Sequence, residues 1–408
     1  MIIYISESLN SKKDGGSSLS GADFLNILCS FYTNVIVISN DDFSVKNEKW
    51  YNMVLNKPIS NVVLKRNYNW NNLTLRDFLK NMYFIFQDLF KKKRVNLDVF
   101  FEENGLNVIY VNSWSNLFLS TRISYSREFS KTCVVRGNPE SFVYQSIGND
   151  KTQEVFKASR YLLKFESLIY VSSKGKEDWG KILFPNIIDS YYLPNSIDEV
   201  EVNLINSYSK LEVREKMFIS NVDYNIVIVG SVQIRKGQDI LLQIIPELIK
   251  FLPNVKFHIV GGVSTRWGGN KILQDISNSI YSNKFKFYGH SNKVLDIVYS
   301  SDICLFTSRG EAFPRAVAEY MALGQTIIAP KVSGIPEMIE HNISGLLYDI
   351  NNPHEIVNLI KYVLDNPNLA SNLAKNARQG YYNKFAKNLQ ITRAHQIFNS
   401  LSTKFKQN

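Results

Sequence analysis

Short apolar runs rich in Ile and Val recur along this chain, each followed by a loop and an amphipathic stretch, and that alternation restricts the fold more than any other feature. IIYIS at Ile2–Ser6 leads into a Gly/Ser loop at Asp14–Ser18, then a helix over Leu19–Tyr32, then VIVIS at Val35–Ser39. Strand, glycine loop, helix and strand open a doubly wound parallel sheet. Further strands fall at Asn107–Val111, Thr132–Val135 and Ser167–Val171; the Asn- and aromatic-rich stretch Asp41–Phe101 reads as loops plus one or two helices without assigned chemistry. The Pro-Asn turn in YYLPNSID (Tyr191–Asp198) closes this first domain, 1–198.

A second alternation fills 199–385. NIVIVG (Asn225–Gly230), VKFHIVGG, FKFYGH, DICLFTS (Asp302–Ser308), TIIAP (Thr326–Pro330) and GLLYD (Gly345–Asp349) are its strands, with striped helices such as GQDILLQIIPELIKFL between them. The Asn/Lys-rich tail reads as a surface or fraying helix. At 408 residues the chain suits two α/β domains of common size, and two domains make a cleft.

Composition narrows the class further. With 45% hydrophobic and 21% charged residues the chain is neither disordered nor fibrous. No apolar run reaches the roughly 18 residues of a membrane span, and MIIYISES lacks the features of a signal peptide, so the expected location is cytoplasmic. Cys29, Cys133 and Cys304 fit neither a disulfide framework nor a zinc site and read as buried small hydrophobes. A net charge of +10 admits nucleic acid, an anionic membrane surface or an anionic small substrate. No nucleic-acid motif accompanies it, so nucleic acid is not an expected partner. The basic run Lys91–Arg94 follows an aromatic segment with Phe78, Met82, Phe86 and Leu89 at near-helical spacing. Such a helix can lie on the inner face of a membrane, or pack on its own domain with a solvated basic end.

Ligands of open parallel sheets bind beyond the carboxyl ends of the strands. Two loops there carry polar residues: SVQIRKG after the first strand of the second domain, and SRGEAFPRAVAEYMALG after the fourth. Glu311 and Glu319 stand eight positions apart, in a loop and within a helix starting near Pro314. The amides of Ala312 and Phe313 and the helix N-terminus suit a phosphate, to which Pro314 donates nothing. Lys236, assisted by Arg235, offers fixed positive charge to a diphosphate. Each has an ordinary alternative: a capping glutamate, a solvent-facing helix glutamate, a solvated surface pair. Gly15 and Gly16 would let backbone approach a ligand, or simply form a tight turn. No two aspartates stand two apart, so no divalent metal and no cofactor is expected. The histidines (His258, His290, His341, His354, His395) show no zinc spacing; His290, at a strand end, is the exception to a structural or surface reading.

In this order the elements resemble the retaining GT-B glycosyltransferases of glycosyltransferase family 4, most closely over Asn225–Asp349. The likeness rests on the spaced glutamates, the small-residue helix end Ala322–Gly324, the SGIPE turn Ser333–Glu337, LPNSID at Leu193, and the Gly15–Gly16 loop. The resemblance implies two facing Rossmann-like domains, acceptor-side (1–198) and nucleotide-sugar-binding (199–385), with a helix at 386–408 crossing back to the first. It gives Lys236 to the donor diphosphate, Glu311 to the transferred sugar and Glu319 to the ribose. Gly289, His290 and Ser291 would line the base pocket, Ala312 and Phe313 would bind phosphate or sugar oxygens beside Pro314, and Gly15 and Gly16 would close over the diphosphate.

Two departures stand out. The family's arginine after the first-strand glycine is replaced by Ser231, which keeps its place in the donor site, with Arg235 as the substitute cation. The family's first-domain histidine is missing, and Arg136 or Asn138 in VVRGNPESF stands in that region as a sugar or acceptor contact. The implied activity is metal-independent, retaining hexosyl transfer from a nucleoside-diphosphate sugar to a saccharide, lipid-linked or protein acceptor, in surface polysaccharide or glycoconjugate synthesis. The alternatives are a catalytically inactive GT-B subunit that binds a partner enzyme or glycan, and an epimerase or phosphorylase of the same fold.

Overall fold

The computed structural model describes residues 2–6, 16–32, 35–39, 59–63, 95–96, 103, 106–113, 123–140, 151–184, 188–265 and 267–407. Gly15, the Lys91–Arg94 run and the aromatic segment before it lie outside those residues.

In the first lobe the strands are β1 (Ile2–Ile5), β2 (Val35–Ser39), β3 (Ile59–Val63), β4 (Val95–Asn96), β5 (Val108–Asn112), β6 (Ile123–Ser124), β7 (Ser130–Val135), β8 (Ser167–Tyr170) and β9 (Asp189–Tyr192). Seven of them form one parallel sheet in the order β3-β2-β1-β5-β7-β8-β9, and β4 pairs with β6 apart from it. The central runs are apolar because both faces of the sheet are covered. Tyr4, Tyr110 and Ile169 pack under helix α1 (Gly16–Phe31), while Ile3, Ile109 and Leu168 pack under Trp179 of α2 (Ser173–Leu183) and Leu162 of the helix Lys151–Leu162.

The second lobe holds β10 (Tyr224–Val229), β11 (Val255–Val260), β12 (Phe285–Gly289), β13 (Ile303–Leu305), β14 (Ile327–Pro330) and β15 (Leu346–Tyr348) in the parallel order β12-β11-β10-β13-β14-β15. Chain order reverses between β10 and β13, and such a switch point opens a crevice at the strand ends. Both polar loops identified in the sequence leave these two strands.

Five local expectations are corrected. β3, inside the stretch read as loops and helices, and β9, where no strand is expected, are the two outer strands of the first sheet. Edge strands tolerate polar residues such as Asn61 or Asp189, so neither shows a long apolar run. α1 begins at Gly16, which is therefore helical and not in the loop. Gln238–Ile240 forms a 3₁₀ turn before the helix Leu241–Leu248. Finally the tail, α4 (Lys387–Gln407), is no surface helix: Ala394, Phe398 and Leu401 are fully buried against α1. The three cysteines are buried thiols. Among the described residues no helix is long and apolar enough to cross a membrane.

One apolar core joins the lobes, running from Tyr4 and Phe24 through Leu193, Ile197 and Val202 to Phe306, Ala312 and Phe313. Polar contacts add to it. The Ser333–Glu337 turn reaches the first lobe, where Glu337 accepts the backbone N–H groups of Ser173 and Lys174 (2.9 and 2.5 Å) and Ser333 donates to Glu140 (2.7 Å). A carboxylate on the first turn of α2 meets the positive end of that helix.

Candidate functional site at the switch point

After β10 the chain turns through a 3₁₀ segment, Ile234–Lys236, and Gly237 in a left-handed conformation (φ 73°). Hydrogen bonds fasten this loop to the one after β13: Thr307 Oγ1 donates to the Lys236 carbonyl at 2.7 Å, and Arg309 N to the Arg235 carbonyl at 2.8 Å. Gln238, fully buried, donates to the carbonyl of Ser231 (3.1 Å), while the Ser231 hydroxyl accepts from Gln233 (2.7 Å). Ser231 thus belongs to the loop's own bracing.

That bracing brings three charges together. Lys236 Nζ lies 2.6 Å from Glu311 Oε1, and Arg235 Nη1 bonds the same oxygen while donating to the Gly310 carbonyl at 2.9 Å. The Ser308 hydroxyl donates to that oxygen as well (3.2 Å). Side-chain exposures of 14–17% leave all three charged groups reachable from the crevice but poorly hydrated. Burial alone would raise the Glu311 carboxyl, but the charges of Arg235 and Lys236 outweigh it and hold the group at about 2. The same burial lowers Lys236 from its ordinary value, against the pull of Glu311. Two cations on one carboxylate leave surplus positive charge at the sheet's carboxyl edge, suited to an anion.

Beyond Glu311 the chain passes through Ala312 and Phe313, both buried, into α3 (Arg315–Ala322), whose cap residue is Pro314. Glu319 sits on α3 with Oε1 2.9 Å from Arg315 Nε, and Arg315 Nη1 reaches Asp23 Oδ2 of α1 at 2.6 Å. Sequence reasoning missed Asp23 and Arg315. The i,i+4 spacing of Arg315 and Glu319 was a readable signal, whereas nothing local links Arg315 to a residue 292 positions away.

The remaining candidates are placed as follows. Gly289 ends β12 with φ 61°, and the exposed His290 ring packs on Gly262, where a β-carbon would come within 2.3 Å of Nε2. Gly16 starts α1. Arg136 is spent within the first lobe, donating to Asn112 Oδ1 (2.6 Å), the Ser20 carbonyl (2.9 Å) and Asn195, and burial lowers its pKa from the ordinary arginine value. Asn138, fully buried, accepts from Ser172 Oγ (3.1 Å) at the start of α2. His258 is structural: its nitrogens pair with Tyr288 Oη and Asn225 Oδ1, each at 2.8 Å. Among the described residues no three His, Cys, Asp or Glu side chains gather as a metal-ligand set.

Two parallel-sheet α/β lobes in this arrangement are the GT-B fold. Residues 209–380, which include Lys236, Glu311 and Glu319, match the model of the family described as glycosyl transferases group 1. A curated relative, N-acetyl-alpha-D-glucosaminyl L-malate synthase of Bacillus anthracis, is 28% identical over 127 residues, 31% of this chain and 33% of that protein. The chain's matches span 33–59% of the length of the first curated relatives. Among solved structures, sucrose-phosphate synthase of Thermosynechococcus elongatus superposes with a TM-score of 0.73 at 17% identity, covering 99% of each chain. Anabaena HepE in complex with UDP gives 0.66 at 16% identity, covering 98% of this chain and 99% of that one. These two structures share the fold.

Proposed function

We propose that the chain transfers a sugar, with retention at the anomeric carbon and without a metal ion, from a nucleoside diphosphate sugar to an acceptor hydroxyl. The observation that carries this reading is the largely shielded Lys236–Glu311–Arg235 cluster at the switch point, inside the segment that matches the glycosyl transferases group 1 model. As the bond between the anomeric carbon and the diphosphate breaks, negative charge grows on the phosphate oxygens. Lys236 and Arg235 meet that charge from fixed positions in a site that water reaches poorly. Glu311 releases part of its hold on the two cations and turns to sugar hydroxyls, while Glu319 takes the ribose. In a same-face departure and attack, the leaving phosphate oxygen accepts the acceptor's proton as the new glycosidic bond forms, so no protein base is needed. Glu311, ionised throughout the physiological range, is suited to orienting sugar hydroxyls and not to proton donation.

The setting we propose is polysaccharide or other glycoconjugate assembly on the cytoplasmic side of a membrane, in keeping with the net charge of +10. UDP, seen with the Anabaena protein, is the first nucleotide to try. Thermal shift and calorimetry with UDP, GDP, ADP and their sugars test the reading. One nucleotide series is expected to raise the melting temperature and to support transfer, with the anomeric configuration of the product retained by NMR. Absence of both nucleotide stabilisation and transfer would overturn it in favour of a non-catalytic binding subunit.

A further inference from the structure

Arg315 is the one residue of the described site that touches a carboxylate in each lobe. Its Nε donates to Glu319 Oε1 at 2.9 Å within α3, and its Nη1 donates to Asp23 Oδ2 at 2.6 Å on α1. All three side chains are 11–14% exposed, so this is a desolvated ion triad and not a surface pair. A triad of two carboxylates and one guanidinium carries net negative charge, which ordinary core packing would not favour. Its position explains it: α1 is the helix that follows β1 in the first lobe, and α3 is the helix that follows the Glu311 loop in the second.

We infer that Arg315 is a positioning residue, which orients the Glu319 carboxylate toward the donor ribose and, through Asp23, makes that orientation depend on the first lobe being seated. The inference rests on the reading of Glu319 as the ribose partner. With Asp23 in place, the guanidinium is shared between two acceptors, and its pull on the Glu319 carboxylate is divided. Without Asp23, Arg315 has only Glu319 to neutralise and draws its carboxylate away from the sugar. Donor affinity is thereby tied to the arrangement of the lobes by side chains that need touch neither the diphosphate nor the transferred sugar.

The test compares binding of a nucleoside diphosphate with that of its 2′-deoxy form, using the full chain and calorimetry. In the wild-type protein the ribonucleotide is expected to bind on the order of tenfold more tightly, the loss of one hydrogen bond to a charged group. Glu319→Gln removes the charge that grips the hydroxyl and should bring the ratio near one. Arg315→Gln and the near-isosteric Asp23→Asn should both reduce the ratio severalfold while leaving affinity for the deoxy form close to wild type. A merely structural role would weaken both nucleotides equally. If Glu319→Gln keeps the full preference, the ribose reading of Glu319 fails and the inference with it. If Glu319→Gln abolishes it but Arg315→Gln and Asp23→Asn retain the wild-type ratio, the inference alone is overturned. Should Arg315→Gln not fold, Asp23→Asn decides.

Discussion

Gly237 presses so closely on Thr307 that a β-carbon at position 237 would stand 2.1 Å from the Thr307 carbonyl oxygen. The contact fixes the spacing between the loops after β10 and β13, and therefore the distance from Lys236 to Glu311. Gly237→Ala meets both that clash and a positive φ. It should cost about 1–3 kcal/mol from backbone strain alone and weaken nucleotide binding in step. Urea denaturation and calorimetry on the same samples check this, and a variant with unchanged midpoint and affinity would mean the loops are not set by this contact.

Lys236→Met should lower turnover by about 10²–10³, the range for losing one preorganised group that meets transition-state charge, with the melting temperature little changed. Glu311→Gln behaves differently, because it leaves two shielded cations facing each other. A stability loss of about 3 kcal/mol is expected, as for breaking a buried pair, and nucleoside diphosphate should restore part of it by supplying the missing negative charge. Melting curves with and without nucleotide distinguish the two variants.

His258 gives the fold an acid-sensitive point. Burial lowers the imidazole from 6.5 to about 4, so between those values the unfolded chain binds the proton first. The stability is fully present above about 6.5 and is lost as pH falls toward 4, by up to about 3 kcal/mol. Urea midpoints measured from pH 4 to 7 should fall toward the acid end, less steeply in His258→Gln.

Most of this architecture could be read from the chain. The central strands announce themselves as Ile/Val runs because both sheet faces are covered, and Lys236, Glu311 and Glu319 stand where a doubly wound sheet places ligands. What escaped has a common cause. β3 and β9 lie at edges where polar residues suffice, and the pairing of Asp23 with Arg315 joins residues hundreds of positions apart, which no local period records. Arg235 illustrates the middle case. Its type and loop were visible, but its bond to Glu311 came only with the fold.

Phe398 of α4 fills an aromatic nest, with ring centroids 6.0 Å from Phe24, 5.6 Å from Phe31 and 5.5 Å from Tyr110. Phe398→Ala should cost about 3–5 kcal/mol and expose α4 to proteases. Limited proteolysis followed by mass spectrometry would find new cuts within Lys387–Gln407, and a digestion pattern like the parent's would argue against the packing described.

The seating of α4 also dictates an order of events on the ribosome. Phe24, Phe31 and Tyr110 emerge early, yet the helix that shelters them is translated only after the whole second sheet. Until then the first lobe must wait with that greasy surface bare, an invitation to chaperones and to premature association between nascent chains.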